Sequence, residues 1–189
     1  MNGKLLIFSA PSGSGKTTIV KHLLNNNSRL EFSISACSRA MRKGEVNGRD
    51  YYFLSPEEFK RKINNNEFVE WEEVYPDSYY GTLKSEIERI WEKGNQVVFY
   101  VDVKGGLNLK RIFSDRALAI FIMPPSVEEL QKRLELRGTE TIESLASRVG
   151  KAREEMEYAK DFDIIIINDN LDKAVADASN AVNQFLHQK

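Results

Sequence analysis

The sequence has 189 residues, 41% hydrophobic and 29% charged. This length suits one domain, and this composition excludes a disordered chain. The formal net charge of −1 gives no general attraction to nucleic acid or to an anionic membrane. No apolar run approaches the roughly 20 residues that span a bilayer, and the first residues enter a strand pattern without signal-peptide features, so we expect a cytoplasmic protein.

A glycine-rich stretch, residues 10–17, follows an apolar run at residues 5–8 and precedes a segment with helical spacing. Strand, glycine-rich loop and helix in this order predict a phosphate-binding loop, in which backbone N–H groups surround an anion. Lys16 can reach the outer phosphates of a nucleoside triphosphate, and the Thr17 hydroxyl can bind Mg²⁺. Ala10 replaces the usual first glycine, and the alternative is a flexible turn with a solvated lysine. The predicted loop residues are Ala10, Pro11, Ser12, Gly13, Ser14, Gly15, Lys16, Thr17 and Thr18.

A basic stretch, residues 38–50, comes next. Its Arg39 and Arg42 lie three residues apart after a predicted strand, and guanidinium groups suit bidentate binding of phosphate. Tyr51 and Tyr80 can add hydroxyl donors. The stretch therefore predicts a second phosphate site, and the alternative is a solvated basic loop.

Glu70 lies between Val69 and Trp71 in a predicted strand. A carboxylate among apolar neighbours needs hydrogen-bond donors. The ring N1–H and exocyclic amino group of guanine supply such a pair, whereas the corresponding edge of adenine does not. Glu70 thus predicts guanine recognition, and the alternative is an outward-facing glutamate on an edge strand.

Short runs at residues 32–35, 51–54 and 67–75 alternate apolar and polar positions, which predicts half-exposed strands. A helix is predicted to start directly after Ser55, because proline follows this serine and glutamate lies three residues after it. We interpret this region as an inserted sheet beside a parallel core.

The later part of the chain alternates helical and strand patterns, which favours an α/β fold with a mainly parallel sheet. A helix is predicted at residues 83–93, and Ser126 is predicted to cap another. Apolar runs at residues 96–101, 118–122 and 164–167 predict buried strands.

Seven motifs occur in the order found in guanylate kinases, which the chain resembles over nearly its whole length. The resemblance does not depend on any one of them, since they are spread from the first strand to beyond the middle of the chain. The motifs are residues 9–17, 35–45, 48–51, 68–71, 79–82, 102–105 and 137–140.

The resemblance implies an α/β fold with a mainly parallel-sheet P-loop kinase core at residues 1–34, 84–132 and 149–189. It also implies an inserted small mixed-sheet GMP-binding region at residues 35–83 and a helical lid at residues 133–148. The charge-rich composition of residues 133–148 suits a mobile flap.

The resemblance further implies Mg²⁺-dependent phosphoryl transfer from ATP to GMP, giving ADP and GDP, in purine nucleotide metabolism. GMP and ATP are the expected partners, with no nucleic acid or membrane, and the expected state is a monomer or homodimer.

The residue roles that the resemblance implies fall into three groups, besides Thr17 as metal ligand. The ATP site adds Asn168, beside adenine, to the phosphate loop. The cations around the transferred group would be Lys16, Arg39, Arg42, Arg133, Arg137 and Arg148. The GMP site would be Ser35, Arg39, Arg42, Tyr51, Glu70, Tyr80, Thr82 and Asp102.

The sequence departs from the family pattern at two places. Cys37 and Ser38 stand where two threonines are usual, and Tyr100 stands where an acidic residue is common, two positions before Asp102. For Asp102 itself the alternative is a cap of the following helix.

Two other functions remain as alternatives. One is a non-catalytic guanylate-kinase-like module that binds phosphopeptides; such modules have lost phosphate-loop residues, whereas Gly15, Lys16 and Thr17 are intact here. The other is a related kinase for a sugar bisphosphate, which would not need Glu70 and Thr82 arranged for guanine.

Overall fold

The computed structural model describes residues 3–136 and 142–188. Its strands are β1 (Leu5–Ser9), β2 (Leu30–Phe32), β3 (Ala36–Cys37), β4 (Tyr52–Phe53), β5 (Phe68–Tyr75), β6 (Ser78–Leu83), β7 (Gln96–Tyr100), β8 (Ala117–Met123) and β9 (Ile164–Ile167). Its α-helices are α1 (Lys16–Asn26), α2 (Pro56–Asn64), α3 (Lys84–Glu92), α4 (Val103–Phe113), α5 (Val127–Leu136), α6 (Ile142–Glu157) and α7 (Leu171–His187).

The larger sheet has five strands in the order β2-β7-β1-β8-β9. β8 pairs in parallel with β1, Leu5 lying opposite Ala117, and in parallel with β9, Ile120 lying opposite Ile164. Parallel neighbours need crossover connections, and the helices between these strands supply them. The predicted α/β fold with a mainly parallel sheet is confirmed.

The prediction that residues 164–167 form a buried strand is wrong for half of its side chains. Ile166 is 3% exposed, but Ile165 is 45% and Ile167 is 58% exposed. β9 is the outermost strand, and its Ile164 and Ile166 pack on the core that includes α7. The side chains on its other face are left exposed.

The smaller sheet is mixed, in the order β4-β3-β6-β5. β3 runs parallel to β4 and antiparallel to β6. Phe59 of α2 covers this sheet and stacks on Phe68 at 4.3 Å between ring centroids. The predicted strand at residues 32–35 is wrong in its bounds, because β2 ends at Phe32 and β3 begins at Ala36.

Two helix starts predicted from local sequence are confirmed. The Ser55 hydroxyl accepts from the Glu58 N–H at 3.1 Å, and the Ser126 hydroxyl accepts from the Glu129 N–H at 3.1 Å. Each serine satisfies a backbone donor that the first helical turn leaves without an intrahelical partner.

The chain divides into two compact units. One contains residues 31–97, and the other contains residues 4–30 and 98–189. The domain boundaries expected from the resemblance stay a prediction. Within the described ranges, no helix combines the length and apolar character that crossing a lipid bilayer requires.

Candidate active site

The phosphate loop connects β1 to α1, both in the unit of residues 4–30 and 98–189. Gly13 and Gly15 have φ values of 95° and 86°, which favour glycine. A Cβ at Gly15 would also lie 2.2 Å from the Asn168 amide nitrogen. That amide, 4% exposed, donates to the Ser14 carbonyl at 2.7 Å. Asn168 therefore supports the loop from the protein interior, and its contact with adenine stays a prediction.

The loop borders a cavity of about 460 Å³. This volume is in the range of small-molecule sites. Apart from residues 10–18, the cavity is lined by the end of β7, the residues after it and one face of α6: Tyr100, Val101, Asp102, Arg148, Lys151 and Glu155.

Lys16 lines this cavity and is half-buried. Its Nζ donates to the Val101 carbonyl at 3.2 Å and lies 4.2 Å from the centroid of the Tyr100 ring. Burial lowers the pKa of Lys16 to about 8, and the nearby charges of Glu155 and Asp102 act in the opposite direction. The cationic form is thus less favoured here than in water.

Thr17 follows Lys16 in the first turn of α1 and is exposed. Its hydroxyl is hydrogen-bonded to the hydroxyl of Tyr100. Tyr100, at the end of β7, thus contacts both the predicted metal ligand and the predicted phosphate-binding lysine. Sequence reasoning noticed Tyr100 only as a departure from the family pattern.

Asp102 lines the same cavity and caps α4. Its Oδ1 accepts from the Gly105 N–H at 2.8 Å, and its carbonyl accepts from the Ser9 hydroxyl at 3.0 Å. The capping alternative for Asp102 is therefore confirmed. Its contact with guanine stays a prediction.

The predicted lid arginines lie in different surroundings. Arg148 of α6 lines the cavity and donates to the Ser12 hydroxyl at 3.0 Å. Arg133 of α5 donates to Glu129 at 3.1 Å and to the Asn168 carbonyl at 3.0 Å. Arg137 lies outside the described residues.

The unit of residues 31–97 brings together three of the four predicted groups for the GMP phosphate. The Arg39 guanidinium lies 5.1 Å from the centroid of the Tyr51 ring. The rings of Tyr51 and Tyr80 meet edge to face at 6.0 Å. Arg42 follows on an exposed turn.

Glu45 joins this group, although sequence reasoning missed it. Its two carboxylate oxygens accept from Arg39 at 2.6 and 2.7 Å, and one of them accepts from the Arg42 N–H at 2.7 Å. The hydrogen bonds from Arg39 lower the pKa of Glu45 to about 2. The only sequence signal was an acidic residue within a basic stretch.

The predicted guanine residues Glu70 and Thr82 are cross-strand partners on β5 and β6. The fully buried Thr82 hydroxyl donates to Glu70 Oε1 at 2.8 Å, and Glu70 is half-buried. A Cβ at Gly81 would lie 2.7 Å from the Glu70 carbonyl, so glycine permits this close strand pairing. Ser35, before β3, accepts from the Tyr52 N–H at 2.9 Å through its carbonyl.

Glu86 is a second residue that sequence reasoning missed. It is 2% exposed and accepts from the Ile34 N–H at 2.9 Å, from the Tyr52 hydroxyl at 2.8 Å and from Arg89 at 2.9 Å. Glu86 thus fixes Ile34 and Tyr52, which are the sequence neighbours of Ser35 and Tyr51. The available signal was its helical spacing with the apolar Leu83 and Ile90.

Comparison with known proteins shows the family of the chain. A family model described as Guanylate kinase matches residues 2–185. The chain is 53% identical to a guanylate kinase of Bacteroides thetaiotaomicron, covering 100% of this chain and 93% of the relative. It is 55% identical to one of Porphyromonas gingivalis, covering 97% and 98%.

A solved structure gives the same result. The guanylate kinase of Anaplasma phagocytophilum aligns with a TM-score of 0.76 at 29% identity, covering 99% of this chain and 88% of that one. The chain belongs to the guanylate kinase family.

Proposed function

We propose that this protein transfers the γ-phosphoryl group of ATP to GMP, giving ADP and GDP in purine nucleotide metabolism. The observation that carries this proposal is the intact phosphate loop, with Gly15, Lys16 and Thr17 at a cavity of about 460 Å³. The relatives named guanylate kinase, more than half identical to this chain, support GMP as the acceptor.

ATP would bind with its phosphates in the loop. The loop N–H groups and the N-terminus of α1 favour negative charge there, and Lys16 adds a cation. Thr17 offers an exposed hydroxyl oxygen, the ligand type that Mg²⁺ prefers. When bound, Mg²⁺ neutralises charge on the outer phosphates.

GMP would bind in the unit of residues 31–97. Its phosphate suits the cluster of Arg39, Tyr51 and Tyr80, with Arg42 beside it. The Thr82 hydroxyl donates to one oxygen of Glu70 and so fixes the carboxylate. A carboxylate held in this way can accept from guanine N1–H and from the amino group. Ser35 would be a further contact, and the family resemblance also assigns Asp102, which belongs to the other unit, to guanine.

The reaction would be an in-line attack by a GMP phosphate oxygen on the γ-phosphorus. This oxygen is already anionic, so the protein's task is positioning and charge stabilisation. Lys16 and Arg148 lie at the same cavity, and Arg133 and Arg137 would approach from the lid at residues 133–148. Lid closure would keep water from acting as the acceptor.

The substrates would be the only required partners, in a cytoplasmic monomer or homodimer, with no nucleic acid or membrane. The phosphopeptide-binding alternative is not favoured, because relatives named guanylate kinase match over nearly the whole chain and the loop is intact. The paired Glu70 and Thr82 likewise favour a guanine acceptor over a sugar bisphosphate.

The test is ADP release from Mg²⁺–ATP with a panel of nucleoside monophosphates and a sugar bisphosphate. We expect rapid release with GMP and weak release with every other acceptor. Absence of turnover with GMP, or faster turnover with another acceptor, would overturn the proposal. The Lys16→Ala variant serves as the background control, because it lacks the cation that we assign to the ATP phosphates.

A further inference from the structure

Tyr100 links the two functional side chains of the phosphate loop. Its hydroxyl is hydrogen-bonded to the Thr17 hydroxyl, and its ring faces the Lys16 ammonium at 4.2 Å. It is 37% exposed and lines the cavity.

We propose that Tyr100 is a positioning residue for the metal, because it orients the Thr17 hydroxyl and so makes nucleotide affinity depend on Mg²⁺. The inference rests on the proposed nucleotide site but not on the identity of the acceptor. It concerns a position where this chain departs from its family's common acidic residue.

The Thr17 hydroxyl has one proton, and its direction depends on the acceptor beside it. A threonine hydroxyl that binds a cation turns a lone pair toward it and directs its proton to an acceptor elsewhere. The oxygen of the Tyr100 hydroxyl can serve as such an acceptor for Thr17, since either hydroxyl of this hydrogen bond can be the donor. Partners that orient a metal ligand typically change metal affinity by about 10–100-fold when removed.

Tyr100 differs in charge from the acidic residue that is common at its position. In phosphate-loop enzymes an aspartate commonly assists the loop hydroxyl at the metal. Tyrosine at position 100 keeps the hydrogen bond but brings no negative charge. Among the described residues the carboxylates lining the cavity are Asp102, which caps α4, and Glu155, which lies 3.6 Å from Lys151. The metal would therefore bind mainly with the nucleotide phosphates, and its effect would be seen as nucleotide affinity.

The two contacts of Tyr100 can be separated by substitution. Tyr100→Phe removes the hydroxyl and keeps the ring beside Lys16. Tyr100→Asp removes the ring and restores an acidic acceptor for Thr17. Tyr158, 42% exposed on the turn Tyr158–Asp161, provides the matched control Tyr158→Phe.

The experiment measures the dissociation constant of ADP by calorimetry, with Mg²⁺ and with a chelator, for each protein. The ratio of the two constants is the metal enhancement. We expect Tyr100→Phe to lower this ratio by about tenfold while leaving metal-free affinity nearly unchanged. Tyr100→Asp and Tyr158→Phe should keep an enhancement at least as large as that of the unmodified protein.

An unchanged ratio in Tyr100→Phe would overturn the inference. An equal loss of affinity with and without Mg²⁺ would also overturn it, since Tyr100 would then act only on the shape of the loop. Because the assay contains no acceptor, it is independent of the proposed reaction. A lowered ratio supports the role of Tyr100 even if GMP turns out not to be the substrate.

Discussion

Glu45 holds the guanidinium of Arg39 through two hydrogen bonds of 2.6 and 2.7 Å. The same carboxylate accepts from the backbone N–H of Arg42. One acidic side chain therefore holds the guanidinium of Arg39 and the backbone of Arg42, the two arginines that we assign to the GMP phosphate. When side chains are already ordered in the free protein, ligand binding loses less conformational entropy and the affinity is higher.

We predict that Glu45→Gln raises KM for GMP several-fold and leaves KM for ATP unchanged. The neutral amide keeps the shape of the side chain but loses the charge that holds Arg39. Steady-state kinetics with each substrate varied in turn measures both constants. The control is Glu67→Gln, which weakens the pair of Glu67 with Lys62 in the same unit. A lower KM for GMP would show instead that Glu45 competes with the phosphate.

The lowered pKa of Lys16 predicts a pH dependence. Its free-enzyme pKa of about 8 means that the cation is present below that pH and is lost as pH rises through it. We therefore expect kcat/KM for ATP to fall above about pH 8, because this parameter reports the free enzyme. With saturating ATP the bound phosphates keep Lys16 charged, so kcat/KM for GMP should fall much less. If kcat/KM for ATP and kcat/KM for GMP fell equally with rising pH, the assignment of Lys16 to the ATP phosphates would be wrong.

Arg148 is the described lid arginine that lines the cavity. If it stabilises charge mainly in the transition state, Arg148→Ala should lower kcat far more than it raises KM for GMP. Arg153→Ala, at an exposed position of the same helix, should change neither parameter. An effect confined to KM would place Arg148 in ground-state binding.

The buried Glu86 predicts a loss of stability. Glu86→Ala removes the acceptor of the Ile34 N–H and of the Tyr52 hydroxyl, and a buried donor left without a partner costs about 1–3 kcal/mol. Arg89, whose side chain is 35% exposed, keeps its ion pair with Glu31. We expect a correspondingly lower free energy of unfolding in urea. Glu88→Ala, at an exposed position of α3, should have a free energy of unfolding close to that of the unmodified protein. Equal stability of the two variants would show that the Glu86 hydrogen bonds contribute little.

Sequence reasoning succeeded where the signal is local. The caps at Ser55 and Ser126 and the strand-loop-helix order around Lys16 depend on residues only a few positions apart. These predictions hold because residues that are close in the sequence also interact with each other in the folded chain. The parallel core followed from apolar runs such as residues 118–122.

The remaining features depend on contacts between distant positions. Asn168 supports Ser14 from more than 150 residues away, and Glu86 holds Ile34 from 52 residues away. The exposure of Ile165 follows from the place of β9 at the edge of the sheet, which its own apolar sequence does not show. Neither periodicity nor motif spacing records such pairings.

We assign GMP phosphorylation to this protein and guanine recognition to Glu70. The most direct measurement is kcat/KM for GMP, IMP and AMP with the unmodified protein and with Glu70→Gln. IMP lacks the amino donor and AMP lacks both donors, and each lost hydrogen bond to a charged group costs about 1.5–3 kcal/mol. The control is Glu73→Gln, at an exposed position of the same strand.

We predict the order GMP, IMP, AMP for the unmodified protein and for the control. In Glu70→Gln we expect kcat/KM for GMP to fall strongly, while the low kcat/KM for AMP barely changes. The ratio of kcat/KM for GMP to that for AMP should therefore decrease. If Glu70→Gln keeps the full preference for GMP over AMP, Glu70 does not bind guanine and another part of the protein recognises the base.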